Sequence, residues 1–132
     1  MSKKAISQKT IMSLFAASAA SVVLFACGGG SPSTTDLSDN AKQGLQIAQS
    51  NGCASCHGAD FGGASGPSWQ GLAGSVRNLT DGSEVVANRA YLVEAIMDPS
   101  AKVVRGYSLM MPSNGLSADE VELIVDYIEE IK

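Results

Sequence analysis

Cys53 and Cys56 stand three positions apart, and the chain's one histidine, His57, follows directly, in the run Cys53-Ala54-Ser55-Cys56-His57. Thiols at that spacing can form a redox disulfide, share a metal ion, or anchor a haem. Structural zinc takes about four Cys/His-type ligands. This chain has three cysteines and one histidine in all, and Cys27 stands far upstream of the pair. A thioredoxin-like pair wants a βαβ setting, and a Cys53–Cys56 disulfide leaves Cys27 without a role. C-x-x-C-H is the attachment signature of a c-type haem. Thiols at this spacing near a helical turn reach two vinyl groups on one porphyrin edge. The histidine then lies under the iron with a ring nitrogen to offer. One covalently held haem c is the expected cofactor.

A haem held from one side leaves the question of a second iron ligand. After the N-terminal segment the chain offers Met97, Met110 and Met111. Met97 falls in a helical pattern, "AYLVEAIMDP", and reads as a core or haem-packing residue. Met110 and Met111 fall in "GYSLMMPSNG", a loop bracketed by Gly106, Pro112 and Gly115. A loop methionine can cross an iron without the constraint of a helix axis. Met111 precedes Pro112, which biases it toward an extended backbone, as a strap over a haem face requires. Met111 is preferred, with Met110 the alternative. A loose core filling by both is the bland reading.

The elements that must position these groups come next. Ser38 or Asp39 can cap a first helix over residues 38–52, with Ala41, Leu45 and Ala48 on one side and Ile47 adjoining. Gly44 inside it costs about 1 kcal/mol relative to Ala, which invites close approach of another helix as the reason. Residues 58–75 hold seven glycines and prolines among eighteen residues, so no regular element is expected there. Asp81-Gly82, between apolar runs, suggests a short hairpin or turn. A helix from Asn88, with Leu92, Val93, Ile96 and Met97 on one face, should end at Pro99. Ser117-x-x-Glu120 is a capping box. The helix it opens should run to the chain end, burying Val121, Ile124, Val125, Ile128 and Ile131 with acids on its other side. Tyr127 is a candidate for packing near Gly44.

The first 26 residues do not belong to this pattern. Lys3, Lys4 and Lys9 precede an uncharged run from Ile11 to Ala26, which reads as a secretory signal peptide; a permanent membrane anchor is the alternative. Leu24-Phe25-Ala26-Cys27 resembles a bacterial lipobox, so Cys27 is the expected lipidation site. "GGGSPSTTD" after it reads as a flexible tether. The expected organisation is a signal peptide over 1–26, a lipidated cysteine and tether over 27–37, and one domain over 38–132. Lipidation of Cys27 and two thioethers account for every cysteine. Loss of the three leader lysines leaves six basic residues against thirteen acids, a formal charge of -7. Nucleic acid is an unsuitable partner for such a chain. Aromatic residues are 5%, few for a core built from protein alone.

Cys53-x-x-Cys56-His57, Gly66-Pro67, Met111-Pro112 and a final amphipathic helix together resemble the class I cytochromes c. From "GPSWQGLAGS" through "DPSAKVVRGYSLMMP" to "LSADEVELIVDYI" the chain is similar to the cytochrome c domain at the C-terminus of some bacterial cytochrome c oxidase subunit II chains. The likeness covers roughly residues 40–131; the transmembrane helices and binuclear copper domain of such a subunit have no counterpart. The resemblance implies an all-α fold with N- and C-terminal helices crossing near Gly44 and Tyr127, and a short hairpin and loops wrapped around one haem. It implies His57 and Met111 as axial ligands, and a hydrogen bond from the other nitrogen of His57 to the Pro67 carbonyl. Trp69 and Tyr107 become candidates for the haem periphery, or plain core aromatics. Lys102 and Arg105 become candidates for guiding a partner, or plain surface charge.

The function so implied is single-electron transfer by a lipid-anchored carrier in a respiratory chain, not an enzyme. A quinol-oxidising complex would be its donor and a terminal oxidase its acceptor. The expected location is outside the cell membrane, periplasmic or on the outer leaflet, with an outer membrane also allowed. A haem enzyme of peroxidase or dehydrogenase type, with an exchangeable axial position, is the alternative. A haem sensor or an oxidase-bound subunit is a third.

Overall fold

The computed structural model describes residues 36–132. The expected signal peptide, Cys27 and most of the expected tether lie outside the described residues. Among those described, no helix is long and apolar enough to cross a membrane.

The first helix, α1, spans Asp39–Ser50. Ser38 is its cap, accepting from the Ala41 N–H at 3.1 Å. The backbone N–H of Ser38 donates to Glu130 at 2.8 Å, so the two ends of the domain are tied together. Leu37, at the edge of the expected tether, is already buried in the core. The helix stops short of residue 52 because Gly52 takes φ +74, a left-handed turn that suits glycine. A single helical turn, α2, follows over Ala54–His57, and Gly58 at φ +90 ends it. Residues 58–75 contain no helix or strand.

Two three-residue strands, β1 (Val76–Asn78) and β2 (Glu84–Val86), pair antiparallel with Arg77 opposite Val85. Asp81 accepts from the Ser83 N–H at 2.9 Å and shapes the turn. The segment after the next helix returns to this ribbon, bridging Leu79 to Val104. That helix, α3, runs Arg89–Met97 behind an Asn88 cap. The last, α4, runs Ala118–Glu130. Its capping box is complete, with Ser117 and Glu120 bonded reciprocally.

The core sits between α1 and α4. Ala41, Gly44 and Ala48 form the buried side of α1, and Val121, Ile124, Val125 and Ile128 that of α4. Small residues on α1 let the helices approach closely: the nearest atoms to Gly44 are the Leu123 carbonyl and the Ile124 nitrogen. Tyr127 lies edge-on to Phe61 at 5.4 Å and to Trp69 at 6.3 Å. Phe61 was not foreseen as core. It is fully buried and stacks on Trp69 at 4.4 Å, although it lies in the glycine-rich loop at φ +58.

The expected face of α3 needs a correction. Tyr91, Leu92 and Ile96 are its buried residues, whereas Met97 is 48% exposed. At 100° per residue, Tyr91, Leu92 and Ile96 fall within a 140° arc, and Met97 lies a further 100° round. Met97 is therefore not a core residue.

Arg89, at the first position of α3, sits where a positive charge opposes the helix dipole. Three carboxylates of α4 compensate: Glu122 at 2.7 Å, Asp126 at 2.8 Å and Glu129 at 2.8 Å. Its guanidinium pKa is raised, first by the hydrogen bond to Asp126. Arg89→Met leaves those three acids facing one another and should destabilise the domain by about 1 kcal/mol. Urea denaturation checks this, and the loss should shrink at about 1 M salt, where the Debye length is near 3 Å.

Candidate functional site

The turn of α2 exists because glycines at 52 and 58 free the backbone on both sides of it. Within it, the N–H groups of Cys56 and His57 both donate to the Cys53 carbonyl, at 3.2 and 3.0 Å. That winding puts the two thiols and the imidazole on one short segment. Cys53 and Cys56 are partly buried and not bridged. Burial pushes the Cys53 thiol above its ordinary pKa.

His57 is 8% exposed. Its Nδ1 lies 2.8 Å from the Pro67 carbonyl oxygen. A carbonyl only accepts, so Nδ1 carries the proton and Nε2 keeps its lone pair. Burial lowers the imidazole pKa, with the Pro67 bond opposing. The ring is thus neutral near neutral pH and has one nitrogen free to ligate. Gly66 makes the arrangement possible: a Cβ there would lie 3.2 Å from His57 Cε1 and 3.3 Å from the Cys56 carbonyl oxygen. The loop is closed on this segment by Gly66 N–H to Cys56 O at 2.8 Å and Gly63 N–H to His57 O at 2.7 Å. Trp69 packs against the imidazole, with ring centroids 4.9 Å apart.

Two adjoining clefts open beside His57, with about 1000 Å³ and 840 Å³ of space counted out to open solvent. Cys56, His57, Trp69, Ile96, Met111 and Pro112 line both. Pro67 and Tyr107 line only the larger, and Cys53 only the smaller. Met111 is half-buried against the core. Met110 is 61% exposed and reaches only the larger cavity. Lys102 lines the larger cavity too, but it is ion-paired with Glu94. Arg105 lines neither; its backbone N–H donates to Asn78 at 2.9 Å.

The sequence reading missed three polar residues here. Arg77 lines the larger cavity, and its buried Nε has no hydrogen-bond partner among the described residues. The strand alternation around it is inverted, with Val76 turned to solvent at 56% exposure and Arg77 turned inward. Strand parity was the available signal, since Arg77 shares a face with buried Leu79. Tyr91 is the second. It is buried at the same cavity, where burial raises its hydroxyl pKa against the opposing charges of Arg77 and Lys102. Asn114, on the wall of the smaller cavity, is the third.

These groups fit a haem. The cleft walls are largely apolar, two thiols stand beside it, a neutral imidazole enters it and a thioether lines it. An orphaned cationic donor at Arg77 calls for an anionic group, and haem carries carboxylates. Among the described residues, no cluster of three or more His, Cys, Asp or Glu side chains could instead hold a bare metal ion.

A helix-rich domain with this cleft is of the haem-binding, electron-transferring class. The family model for cytochrome c matches residues 41–132, and the chain belongs to that family. No curated protein matches it. The chain is a c-type cytochrome acting in electron transfer, and its cofactor is covalent c-type haem, with Cys53 and Cys56 as the single cysteine pair among the described residues.

Proposed function

We propose that this chain is a membrane-anchored carrier of single electrons in a respiratory chain, delivering to a terminal oxidase through a haem ligated by His57 and Met111. The observation that carries the ligation is that His57 and Met111 line the same two cavities. The bound haem supplies a one-electron Fe(II)/Fe(III) couple.

The chain's own residues do the rest. Cys53 and Cys56 would hold the haem by thioethers to its two vinyl groups, each thiol proton passing to the neighbouring vinyl carbon. Pro67 fixes the tautomer and orientation of His57 and raises its basicity as a ligand. The Met111 thioether favours the reduced ion and raises the potential. His57 and Met111 would together leave a bound haem no position open to a substrate, which supports a carrier over an enzyme. Trp69, Leu92 and Ile96 exclude water from the cleft. Arg77 and Tyr91 are the donors available to the haem carboxylates. The crossing of α1 and α4 at Gly44 belongs to the same reading, and supplies the frame that α2 hangs from.

The anchor and the partners rest on the sequence. Export through the signal peptide over residues 1–26, lipidation at Cys27 and a tether to residue 37 would hold the domain near membrane partners, making encounter local. The resemblance to oxidase subunit II domains supports a terminal oxidase as acceptor and a quinol-oxidising complex as donor. The location is the outer face of the cell membrane or the periplasm, with an outer membrane as the variant case.

Potentiometric titration of the purified holoprotein should give a single one-electron wave, and the ferric spectrum should carry the weak near-infrared methionine–iron band. A high-spin protein that reacts with peroxide would sink the carrier reading. Cys27→Ser should move the protein from the membrane fraction to the soluble one or leave the leader attached. Continued acyl labelling after that change would remove the anchor.

A further inference from the structure

The segment carrying Met111 is held to the domain in an uneven way. From Gly106 to Ser113 it contains no helix or strand. Among the described residues, it makes no hydrogen bond to the rest of the domain over that stretch. The first polar tie is Asn114. Its Nδ2 donates to the Ile96 carbonyl at 2.7 Å, and its Oδ1 accepts from the Leu116 N–H at 3.2 Å.

The acceptor is itself informative. Ile96 is in the last turn of α3, where carbonyls lack a donor from their own helix. The N–H that would serve it four residues on, that of Ser100, instead bonds the Asp98 side chain at 3.2 Å. The Ile96 carbonyl is thus left for Asn114. Ile96 also lines both cavities beside His57 and Met111. One side chain therefore ties the methionine strap to the helix that forms the cleft wall, three residues beyond the ligand.

We infer that Asn114 is a positioning residue for Met111. Its bond to Ile96 holds the strap closed and sets how often the thioether leaves the iron and admits an external ligand. The inference rests on the reading of Met111 as the axial ligand. Asn114 is exposed at the surface, so its loss should cost the folded domain no more than this one tie.

The test uses ferric holoprotein mixed with imidazole in a stopped-flow instrument. At high imidazole the rate saturates at the rate of strap opening. Asn114→Ala, which removes both bonds, should raise that limit about tenfold, the equivalent of roughly one net hydrogen bond. Asn114→Asp keeps the acceptor for Leu116 and loses the donor to Ile96, so it should do the same. Ser113→Ala, on the same strap, should leave the limit unchanged. Urea midpoints should fall by no more than that one bond in the two Asn114 variants and stay at wild type in Ser113→Ala.

An unchanged limit in Asn114→Asp overturns the tie to Ile96, whatever the alanine variant does. Failure of both variants to fold also overturns it, since a local tie does not hold the domain together. A wild type that lacks the methionine–iron band, or takes up imidazole as freely as Met111→Ala, refutes the ligand reading instead. The two failures are therefore separable.

Discussion

Met111→Ala should abolish the near-infrared methionine–iron band of the ferric protein and leave the iron open on that side. The reduced protein should then bind carbon monoxide readily, which the wild type should resist. The reduction potential should fall by on the order of 100 mV, a modest part of the ~0.8 V that axial ligation spans. The argument is geometric. Met111 is half-buried against the core and lines both cavities beside His57. Nothing else on the strap combines a ligating atom with that position. Met110, its neighbour, is 61% exposed and reaches only the larger cavity. Successive side chains on an extended strap point to opposite faces, so both cannot present to the iron in one backbone arrangement. Met110→Ala is the matched control and should keep the band, the potential and the resistance to carbon monoxide. Interchange of the two results would make Met110 the ligand. A wild type that lacks the band and binds carbon monoxide freely would mean that no methionine binds, and would return the haem-enzyme alternative to the front.

Some of this site is legible in the sequence because its logic is local. The two cysteines and His57 fall within one helical turn, so their spacing already states the geometry. The capping box at Ser117 and the Asp81-Gly82 turn are likewise readable, each within a few residues. The long-range features are harder. Phe61 sits between glycines in a loop with no periodicity, yet it stacks on Trp69. That burial depends on a turn in which Phe61 takes φ +58, which no composition rule announces. Arg77 was visible only through parity with Leu79, and two three-residue strands give parity little to work on. Met97 followed the apolar pattern of α3 but not its buried arc, because Tyr91 extends that arc on the side away from Met97. Lys102 read as a candidate guide for a partner or as plain surface charge. Glu94, eight positions earlier and on α3, pairs with it, a contact that needs the turn between them to be known.

Gly44→Ala should destabilise the domain by about 3 kcal/mol, near the upper end of overpacking costs, and Gly44→Val should leave it unfolded. Two effects compete, and they have opposite signs. In an isolated helix, alanine at this position would gain about 1 kcal/mol over glycine. In the folded domain the added Cβ would lie 1.9 Å from the Leu123 carbonyl oxygen, 2.5 Å from its carbon and 2.9 Å from the Ile124 nitrogen. These are backbone atoms of α4, and no rotamer change moves them aside. Relief requires α1 and α4 to separate, which opens the packing of Ala41 and Ala48 against Val121, Ile124 and Val125. With a total stability of ~5–15 kcal/mol typical for a domain, that loss takes a large share, so the tertiary cost should win over propensity. The covalent cofactor gives the experiment a useful split. Thioether attachment does not depend on the α1–α4 contact surviving, so the pyridine haemochrome spectrum should stay that of a two-thioether haem. The urea midpoint and the methionine–iron band should both fall, because the strap from Met111 to Ser117 leads directly into α4. A Gly44→Ala protein as stable as the wild type would mean that the two helices lie further apart than contact at Leu123 requires, and that Gly44 is a tolerated glycine rather than the point of closest approach.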